Sequence, residues 1–521
     1  MSRKHAPSQH GLIPRALACA IALAAVTTTG SRAAAATLVV TNCADDGAGS
    51  LRATVAQAQS GDTVDLGGLG CSGISLASGE IDIGVDDLTL HGPGASRLTI
   101  DGGSAPFHTH AVIRHRGAGT LRIDGLSISD GLSAYAEDGS TACIASSGAI
   151  ALTLSVVTGC NSSGGIFAAG GLSLLHSTLS NNYPVGARVK GGQVSIVAST
   201  IDGNSASYDC GGLDISGNGT TLISNSTLTN NHAALYSTLG GGAGCIDQPV
   251  TISNSTIAFN SARGSPQTSG LILGSAQVTI ESSIIAENVG IGEATDVAFI
   301  APAPSVTGHN NLIMVATGAQ LPPDTISADP RLLPLADNGG PTRTMALAAG
   351  SPALDAGSDS AGLTTDQRGD GYRRVAGRNA DIGAFENQVT EGAGFIGPGF
   401  TGSWFDPQQS GQGLTIEVLG GNRFYATWFA FDAFGKQAWF TGVGTYAGNT
   451  ATITQTVQPE GARWIPNFSS ADVVAVPWGT LTFTFSDCSH GRVDFASTVA
   501  GFGSNHMNLV RLTMPDGLSC P

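Results

Sequence analysis

The chain has 521 residues, and 39 acidic residues against 23 Lys and Arg give it a formal net charge of −16 at pH 7. This balance disfavours nucleic acid and anionic lipid as partners, because binding either of them requires clustered cations.

The first 36 residues have the pattern of a secretory signal peptide. A basic stretch from Arg3 to Arg15 precedes an apolar run over 16–26, and small residues continue to Ala36. The apolar run is too short to span a bilayer. We therefore predict a signal peptide over residues 1–36 and an extracellular or cell-surface protein without a transmembrane segment.

Eight cysteines follow the predicted cleavage site. An even number in an exported chain favours disulfides over a metal site or a catalytic thiol. The sequence does not fix the connectivity. We expect sequence neighbours to pair: Cys43 with Cys71, Cys143 with Cys160, Cys210 with Cys245, and Cys488 with Cys520.

Residues 37–62 predict a strand, a short helix and the approach to a second strand. Ser50 is a good N-cap, and Leu51, Val55 and Ala58 fall on one helical face. Such a segment can cover the open apolar end of a solenoid. We therefore interpret 37–62 as the N-terminal cap of the domain at 37–325.

Within 37–325 one short sequence motif recurs five times. It is Ser-Thr-Leu or Ser-Thr-Ile, followed by Asn three positions after the Leu or Ile. The last copy has Ile284 in place of Thr. Copies begin at Ser177, Ser199, Ser226, Ser255 and Ser283. A period of 20–30 residues, with apolar residues alternating between the copies, predicts a parallel β-helix of about ten coils. Leu, Ile and Val would face inward, Gly would make the bends, Asn would stack at one corner, and Ser and Thr would face water.

The rest of the chain divides into three segments. Residues 326–388 are loop-rich and patterned, and we interpret them as a cap that closes the end of the β-helix. A Gly-rich linker over 389–399 follows. Residues 400–521 contain all five tryptophans and long alternating strands, which predict an antiparallel β-sandwich or barrel. The fold class is therefore all-β.

Several motifs resemble a known family. They are the Gly49–Arg52 block, the repeats, and the patterned stretches 337–341, 350–357, 366–369 and 381–386. Over residues 37–388 the chain resembles choice-of-anchor Q proteins, exported bacterial right-handed parallel β-helix proteins. These are similar to the repeats of polymorphic outer-membrane proteins and, more distantly, to the pectate-lyase-like fold. The resemblance implies a surface location and no particular reaction. The opening of the Trp-rich domain, 402–413, resembles a tail of unknown role on other exported bacterial proteins.

Enzymes with this fold cut polysaccharides, so carboxylates and cations along the repeats are candidate catalytic groups. Arg188-Val189-Lys190 is similar to the Arg-x-Lys of polygalacturonase-like hydrolases, although the paired Asp-Asp and Gly-His-Gly motifs of those enzymes are absent from the sequence. Asp202, Asp209 and Asp214 lie on successive turns and could converge on one site. The alternative is that all five residues serve only as turn and capping residues.

Two further charged groups have competing interpretations. The densest cationic patch consists of His108, His110, Arg114, His115 and Arg116. It could hold a metal ion or provide an acid–base pair, and the alternative is a solvated loop. The charged residues of 326–388 are expected to form a structural ion-pair network: Asp366, Arg368, Arg374, Arg378, Asp381 and Glu386.

The tryptophans supply the candidate ligand-binding residues, Trp404, Trp428 and Trp439. Along 423–431 aromatic residues occur on both faces of the predicted strand, so one face must point to solvent. Most tryptophans are expected in the domain core, with at least one aromatic patch exposed.

We therefore predict a monomeric, exported, non-enzymatic binding or adhesion protein with a polysaccharide or cell-envelope ligand and no cofactor. The alternative is a polysaccharide lyase or glycoside hydrolase that acts in a groove on the β-helix. Bound Ca²⁺ is expected only for the lyase.

Overall fold

A computed structural model describes residues 34–103, 111–131, 142–161, 164–207, 210–233, 240–263, 269–290, 296–348, 350–388, 396–432, 434–516 and 518. The predicted signal peptide lies outside these ranges except for its last three residues. In the described residues the protein is all-β apart from short helices, as predicted.

The first part of the chain is a parallel β-helix whose coils each pass through three sheets, named here in the order in which a coil enters them. The first sheet has eleven strands: Thr37–Val39, Thr63–Asp65, Leu88–His91, Thr120–Asp124, Ala149–Thr153, Gly171–Leu175, Gln193–Val197, Thr221–Ser224, Val250–Ser253, Gln277–Glu281 and Ser305–Thr307. The second has ten: Gly73–Ser75, Thr99–Asp101, Ser127–Ser129, Val156–Thr158, Thr178–Ser180, Thr200–Asp202, Thr227–Thr229, Thr256–Ala258, Ile284–Ala286 and Leu312–Ile313. The third also has ten: Ile81–Ile83, Ile113–His115, Ile144–Ser146, Ile166–Ala168, Ala187–Val189, Leu213–Ile215, Gly241–Ile246, Ser269–Leu273, Val297–Phe299 and Ala316–Thr317. Three two-residue strands form a small extra sheet: Ser205–Ala206, His232–Ala233 and Ser261–Ala262.

Stacking in register builds the core of the β-helix. In the second sheet the middle residues Leu179, Ile201, Leu228, Ile257 and Ile285 lie directly above one another and are fully buried. Because side chains alternate along a strand, the flanking residues point outward. Each coil therefore adds aliphatic side chains to one continuous core, which confirms the predicted arrangement.

The strand and the short helix predicted for 37–62 are confirmed ahead of the second strand. The helix Leu51–Val55 begins at Ser50, whose hydroxyl accepts a hydrogen bond from the backbone N–H of Ala53 at 3.2 Å. Leu51 and Val55 are buried against the β-helix core.

Two corners of the coils carry ladders of polar side chains. Between the first and second sheets, each repeated Ser hydroxyl accepts a hydrogen bond from the backbone N–H of the Ser one coil earlier. Ser199, for example, accepts a hydrogen bond from the N–H of Ser177 at 3.1 Å. Between the second and third sheets the repeated Asn residues stack, as predicted. The residues that precede the repeated Ser and Asn often have positive φ without being glycine. Examples are Ala198, before Ser199, at 48° and Phe259, before Asn260, at 57°. The prediction that glycine makes these bends is therefore only partly correct.

Residues 326–388 lie along the side of the β-helix, and we call them the side segment. Its backbone and side chains bond to outward residues of the second sheet, including Thr200, Thr227 and Thr256. These three threonines are at most 1% exposed. The segment pairs with the last strand of the second sheet only at its start, where Ile326 lies beside Leu312, and these contacts lie along the side of the β-helix. The expectation that these three threonines face water is wrong.

The C-terminal domain is a closed eight-stranded antiparallel barrel, which decides between the predicted sandwich and barrel. Its strands are Gly402–Phe405, Gly413–Leu419, Arg423–Phe431, Gln437–Ala447, Thr450–Glu460, Val474–Phe485, His490–Ser497 and Ser504–Arg511. Three 3-10 helices accompany them: Pro398–Phe400, Pro407–Gln409 and Ser470–Asp472. Ile396 and Phe400 are buried in the barrel core. The domain therefore begins inside the predicted linker 389–399, of which 389–395 lie outside the described residues.

Three predicted disulfides are confirmed: Cys43–Cys71, Cys143–Cys160 and Cys210–Cys245. Cys488 is also disulfide-bonded, while its predicted partner Cys520 lies outside the described residues. Three disulfides indicate an oxidising environment such as the cell exterior. Among the described residues, no helix is both long enough and apolar enough to cross a membrane.

Candidate functional site

One end of the barrel concentrates its exposed aromatic side chains, and we call this end the barrel mouth. Because neighbouring strands are antiparallel, the connections 406–412, 432–436, 461–473 and 498–503 all lie at this end. The exposed aromatic residues of the described barrel are in these connections or close to the strand ends that flank them: Phe429, Phe431, Phe434, Trp439, Trp464 and Phe468. The connections at the opposite end, 420–422, 448–449 and 486–489, contain no aromatic residue.

Two neighbouring strands position the aromatic pair at the edge of the mouth. Phe429 lies directly opposite Trp439, and both are about half exposed, at 55% and 43%. The next residues along each strand, Trp428 and Phe440, point inward and are buried. The alternation predicted for 423–431 therefore places aromatic residues on both surfaces of the barrel wall.

The three candidate tryptophans have different environments. Trp404 is 1% exposed, and its indole donates to the backbone carbonyl of Phe400 at 3.0 Å, so it is a core residue. Trp428 is 5% exposed and lies beside an open pocket at the mouth. Trp439 is exposed on the outer surface, where a ligand can reach it.

The motif at 402–413 builds one side of the mouth. Asp406 accepts a hydrogen bond from the backbone N–H of Gln408 at 2.9 Å and thereby caps the 3-10 helix Pro407–Gln409. Gln409 donates to the same carboxylate, and Gln412 donates to Gln409. The motif therefore fixes two side-chain amides beside the pocket at the mouth. The sequence shows this motif, but it does not predict that the motif lies at one end of a barrel.

The connections of the mouth carry little net charge. They contain three carboxylates, at Asp406, Asp432 and Asp472, and two cations, Lys436 and Arg463. Such a balance does not favour a polyanionic ligand.

On the β-helix, the third sheet brings together part of the predicted catalytic set. Arg188 and Asp214 are neighbours in register, and the guanidinium donates to the carboxylate at 2.7 Å. Burial, followed by the nearby charge of Asp214, raises the pKa of Asp247 in the next coil, while the charge of Lys190 opposes the shift. Asp247 stays accessible to solvent. Sequence reasoning missed Asp247, because register across coils is needed to place it beside Asp214.

The other predicted carboxylates do not join this group. Asp202 lies in the second sheet and accepts a hydrogen bond from the side chain of Asn230 at 2.9 Å. Asp209 lies outside the described residues. The predicted convergence of Asp202 with Asp214 is therefore not seen, since the two residues belong to different sheets.

The cationic patch is held by carboxylates from the preceding coil. Arg114 pairs with Glu80 at 2.7 Å and Arg116 with Asp82 at 2.7 Å. His115 points inward, 1% exposed, and contacts the hydroxyl of Ser146 at 2.7 Å. Arg114, His115 and Arg116 thus have structural partners, while His108 and His110 lie outside the described residues.

The side segment contains the expected buried ion pairs. Arg368 pairs with Asp366 at 2.5 Å, and Arg374 pairs with Glu386 at 2.9 Å. Asp381 accepts backbone N–H groups from Asp355 and Asn387. Arg378 is exposed and bonds only through its backbone N–H among the contacts described, so it does not belong to the buried network.

No protein-family model, curated protein or solved structure matches the chain. The fold assignment therefore depends on the sheets themselves, and the resemblance to choice-of-anchor Q proteins stays a prediction. Within the described ranges, no group of three or more His, Cys, Asp or Glu residues could hold a metal ion.

Proposed function

We propose that this is an exported, non-enzymatic binding protein whose barrel mouth binds a neutral polysaccharide of the cell envelope or its surroundings. The observation that supports the proposal is the concentration of exposed aromatic side chains at one end of the barrel. Signal-peptide export agrees with the disulfides, which require an oxidising compartment.

The chemistry of the mouth fits sugar rings better than charged partners. The faces of Trp439 and Phe431 can stack on the apolar CH faces of pyranose rings. Gln409, Gln412 and Asn505 offer neutral amides for sugar hydroxyls close to the aromatic residues. The near balance of charge in the mouth connections disfavours anionic polymers and anionic lipid.

Retention of the full chain on insoluble cellulose and chitin, with affinity electrophoresis in soluble neutral glucans and mannans, tests the proposal. We expect retention of the wild type and a loss of about tenfold in affinity for Trp439→Ala, a typical cost of removing one stacking platform. Leu512→Ala is the matched control, because Leu512 is 63% exposed and follows the last strand at the opposite end of the barrel.

Two outcomes would overturn the proposal. One is equal retention of the wild type and Trp439→Ala. The other is no retention on any neutral polysaccharide, together with binding of the wild type to phosphatidylethanolamine vesicles or to a protein of the producing cell.

The enzymatic alternative is favoured by one specific observation, the grouping of Arg188, Lys190, Asp214 and Asp247 on the third sheet. A carboxyl with a raised pKa beside a second carboxyl is an arrangement that a glycoside hydrolase uses for its acid. Release of reducing ends from acidic and neutral polysaccharides, with and without Ca²⁺, tests it. Sustained cleavage that Asp247→Asn abolishes would favour this alternative over the binding function.

A further inference from the structure

The outer face of the third sheet carries half of the cationic side chains of the β-helix. Residues 37–325 contain eight Lys and Arg residues: Arg52, Arg97, Arg114, Arg116, Arg122, Arg188, Lys190 and Arg263. Four of these eight lie on third-sheet strands or directly after them, Arg114 and Arg116 in one coil and Arg188 and Lys190 in a later coil. Because side chains alternate along a strand, both members of each pair point away from the core.

Two coils of small or apolar residues separate the cationic pairs. Arg114 is followed in register by Ala145 and then by Phe167. Arg188 comes next after Phe167. Since the side chain of Ala145 is a single methyl group, the sheet has a shallow, open depression of ≈ 90 Å³ there, with the partly exposed Phe167 at its edge. The two pairs are three coils apart, a distance of about 14 Å at ~4.8 Å per coil.

The cations of this face retain donors for a ligand. Arg114 donates to Glu80 through Nε at 2.7 Å, and its terminal nitrogens make no hydrogen bond in the described part of the chain. The amine of Lys190 is exposed and has no hydrogen bond or ion pair with any described residue. In the ion pair of Arg116 with Asp82 both side chains are more than half exposed. Exposed pairs contribute little to stability, so a ligand carboxylate can replace Asp82.

The coil after Arg188 reverses the charge. Asp214 follows Arg188 in register, and its side chain is 20% exposed. Along the axis of the β-helix the face therefore presents positive charge, a depression beside Phe167, positive charge again, and then negative charge. This order disfavours a polyuronate, because a carboxylate on every sugar would also lie opposite the depression and opposite Asp214.

We propose that the third sheet binds an extended peptide segment that runs along the β-helix axis, with acidic, apolar, acidic and basic side chains at every second residue. In an extended chain alternate side chains share one face, and positions i and i+4 are about 13 Å apart. That spacing matches the distance between the two cationic pairs. The i+2 side chain then lies over the depression beside Phe167, and the i+6 side chain reaches Asp214. The site is on the β-helix and does not depend on the polysaccharide function proposed for the barrel.

Two capped peptides of identical composition test the order of charges. Glu-Ser-Leu-Ser-Glu-Ser-Lys follows the order of the face, and we call it the matched peptide. Glu-Ser-Leu-Ser-Lys-Ser-Glu, the swapped peptide, places its lysine opposite Lys190 and a glutamate opposite Asp214. Both are synthesised in both backbone directions and titrated into the full chain by calorimetry at low ionic strength. We expect the matched peptide to bind about tenfold more tightly in one direction, because juxtaposed like charges are unfavourable, and added salt should reduce this ratio.

Single substitutions locate the site. Lys190→Gln and Arg116→Gln should each weaken binding of the matched peptide about two- to fivefold, the effect of one exposed ion pair. Arg122→Gln is the matched control, because Arg122 follows Arg116 closely in the chain but lies on the first sheet, with a side chain that is 51% exposed. Its affinity for the matched peptide should equal that of the wild type.

Equal affinities of the matched and swapped peptides in both directions, or no binding of either, would overturn the proposal. Tighter binding of a galacturonate oligosaccharide than of the matched peptide would also overturn it, since the face would then select polyanions. A loss in Arg122→Gln as large as that in Arg116→Gln would be equally contrary, because it would show that the peptide responds to the overall charge of the protein.

Discussion

The side-chain amide of Asn204 donates to Oδ1 of Asn231, one coil further along the β-helix, at 2.9 Å. The backbone N–H of Asn204 donates to the same oxygen at 3.0 Å. Asn231 repeats both bonds to Asn260, and its amide also reaches the carbonyl of Ile201. The bonds between the Asn side chains therefore all run in one direction, each amide donating to the next Asn toward the C-terminal coils, while its second hydrogen bond reaches a backbone carbonyl of the preceding coil.

A ladder with one direction needs an acceptor at its end, and Asp296 provides it. Its carboxylate accepts from the backbone and the side chain of Asn288 at 2.8 and 3.1 Å, and from the backbone of Val315 at 2.9 Å. Burial raises the pKa of Asp296, while these donors oppose the shift. A carboxylate suits this position because, when ionised, it only accepts hydrogen bonds.

Asn231→Ala should destabilise the β-helix by about 2–4 kcal/mol, because it leaves two donors of Asn204 and the carbonyl of Ile201 buried without a partner. Asn218→Ala, at an exposed turn of the same coil, is the matched control and should change stability by less than about 0.5 kcal/mol. Urea unfolding followed by circular dichroism measures both. Similar midpoints for the two variants would contradict a stabilising role for the ladder.

The ladder was predictable from the sequence, and the side segment was not, for a physical reason. Asn182, Asn204 and Asn231 repeat with the coil, so a local period reveals their stacking. The contacts of Thr227 with Gln367 join residues 140 apart, and no local pattern signals such a pairing. Thr227 was expected to face water, because the sequence cannot distinguish a buried, hydrogen-bonded Thr from an exposed one.

The candidate site was predicted in part for a similar reason. Alternation along 423–431 predicted an aromatic outer face, and Phe429 and Phe431 are exposed there. The sequence left a sandwich and a barrel open, and the strands Gly402–Phe405, His490–Ser497 and Ser504–Arg511 close the barrel. Without closure the sequence could not distinguish the core position of Trp404 from that of Trp428 beside the pocket at the mouth.

Ile284 departs from the repeat motif, and its environment differs from that of the Thr residues in the other copies. The earlier copies have Thr at this position, and those of Thr200, Thr227 and Thr256 bond to the side segment. Ile284 instead packs with Leu347 and Ile382 in a small separate apolar core.

Replacing Ile284 with the Thr of the other repeats should therefore destabilise the protein by about 2 kcal/mol, since it removes buried methyl groups and adds a hydroxyl. Ile284→Val, which keeps the site apolar, should cost about 1 kcal/mol. Thermal unfolding and the rate of proteolysis within 326–388 measure the effect. A more stable Thr variant would show that the repeat consensus, and not the side segment, determines this position.

The side segment should also respond to pH through two buried carboxyls. Burial raises the pKa of Glu386 to about 7 and that of Asp381 to about 6, and the charge of Arg374 only partly opposes this. In the unfolded chain the ordinary values are 4.5 and 3.8. Between the ordinary and the raised pKa of each carboxyl, the folded state therefore binds more protons than the unfolded state. The stabilising contribution is complete below about pH 4 and is lost as the pH rises through 6 and 7.

Comparison with Glu386→Gln isolates this effect, because Gln cannot ionise. Partial burial lowers the pKa values of half-buried His176 and His232, which give the opposite trend near pH 6.5 in both proteins. We expect the difference in unfolding midpoint, wild type minus variant, to decrease from pH 5 to pH 8. A difference that is constant or increases over this range would show that Glu386 is ionised throughout.

Trp404 and Trp439 should separate stability from binding in the barrel. Trp404 packs against Phe400 and Phe485 and also donates its indole N–H, so Trp404→Ala should destabilise the domain by about 3–5 kcal/mol. Trp439→Ala removes a half-exposed side chain and should cost less than about 1 kcal/mol while it lowers polysaccharide retention. Unfolding of the barrel, followed by tryptophan fluorescence, and retention on cellulose are measured on the same two variants. If Trp439→Ala instead lowered stability as much as Trp404→Ala, its lost binding would reflect an unfolded domain and could not be assigned to the aromatic surface.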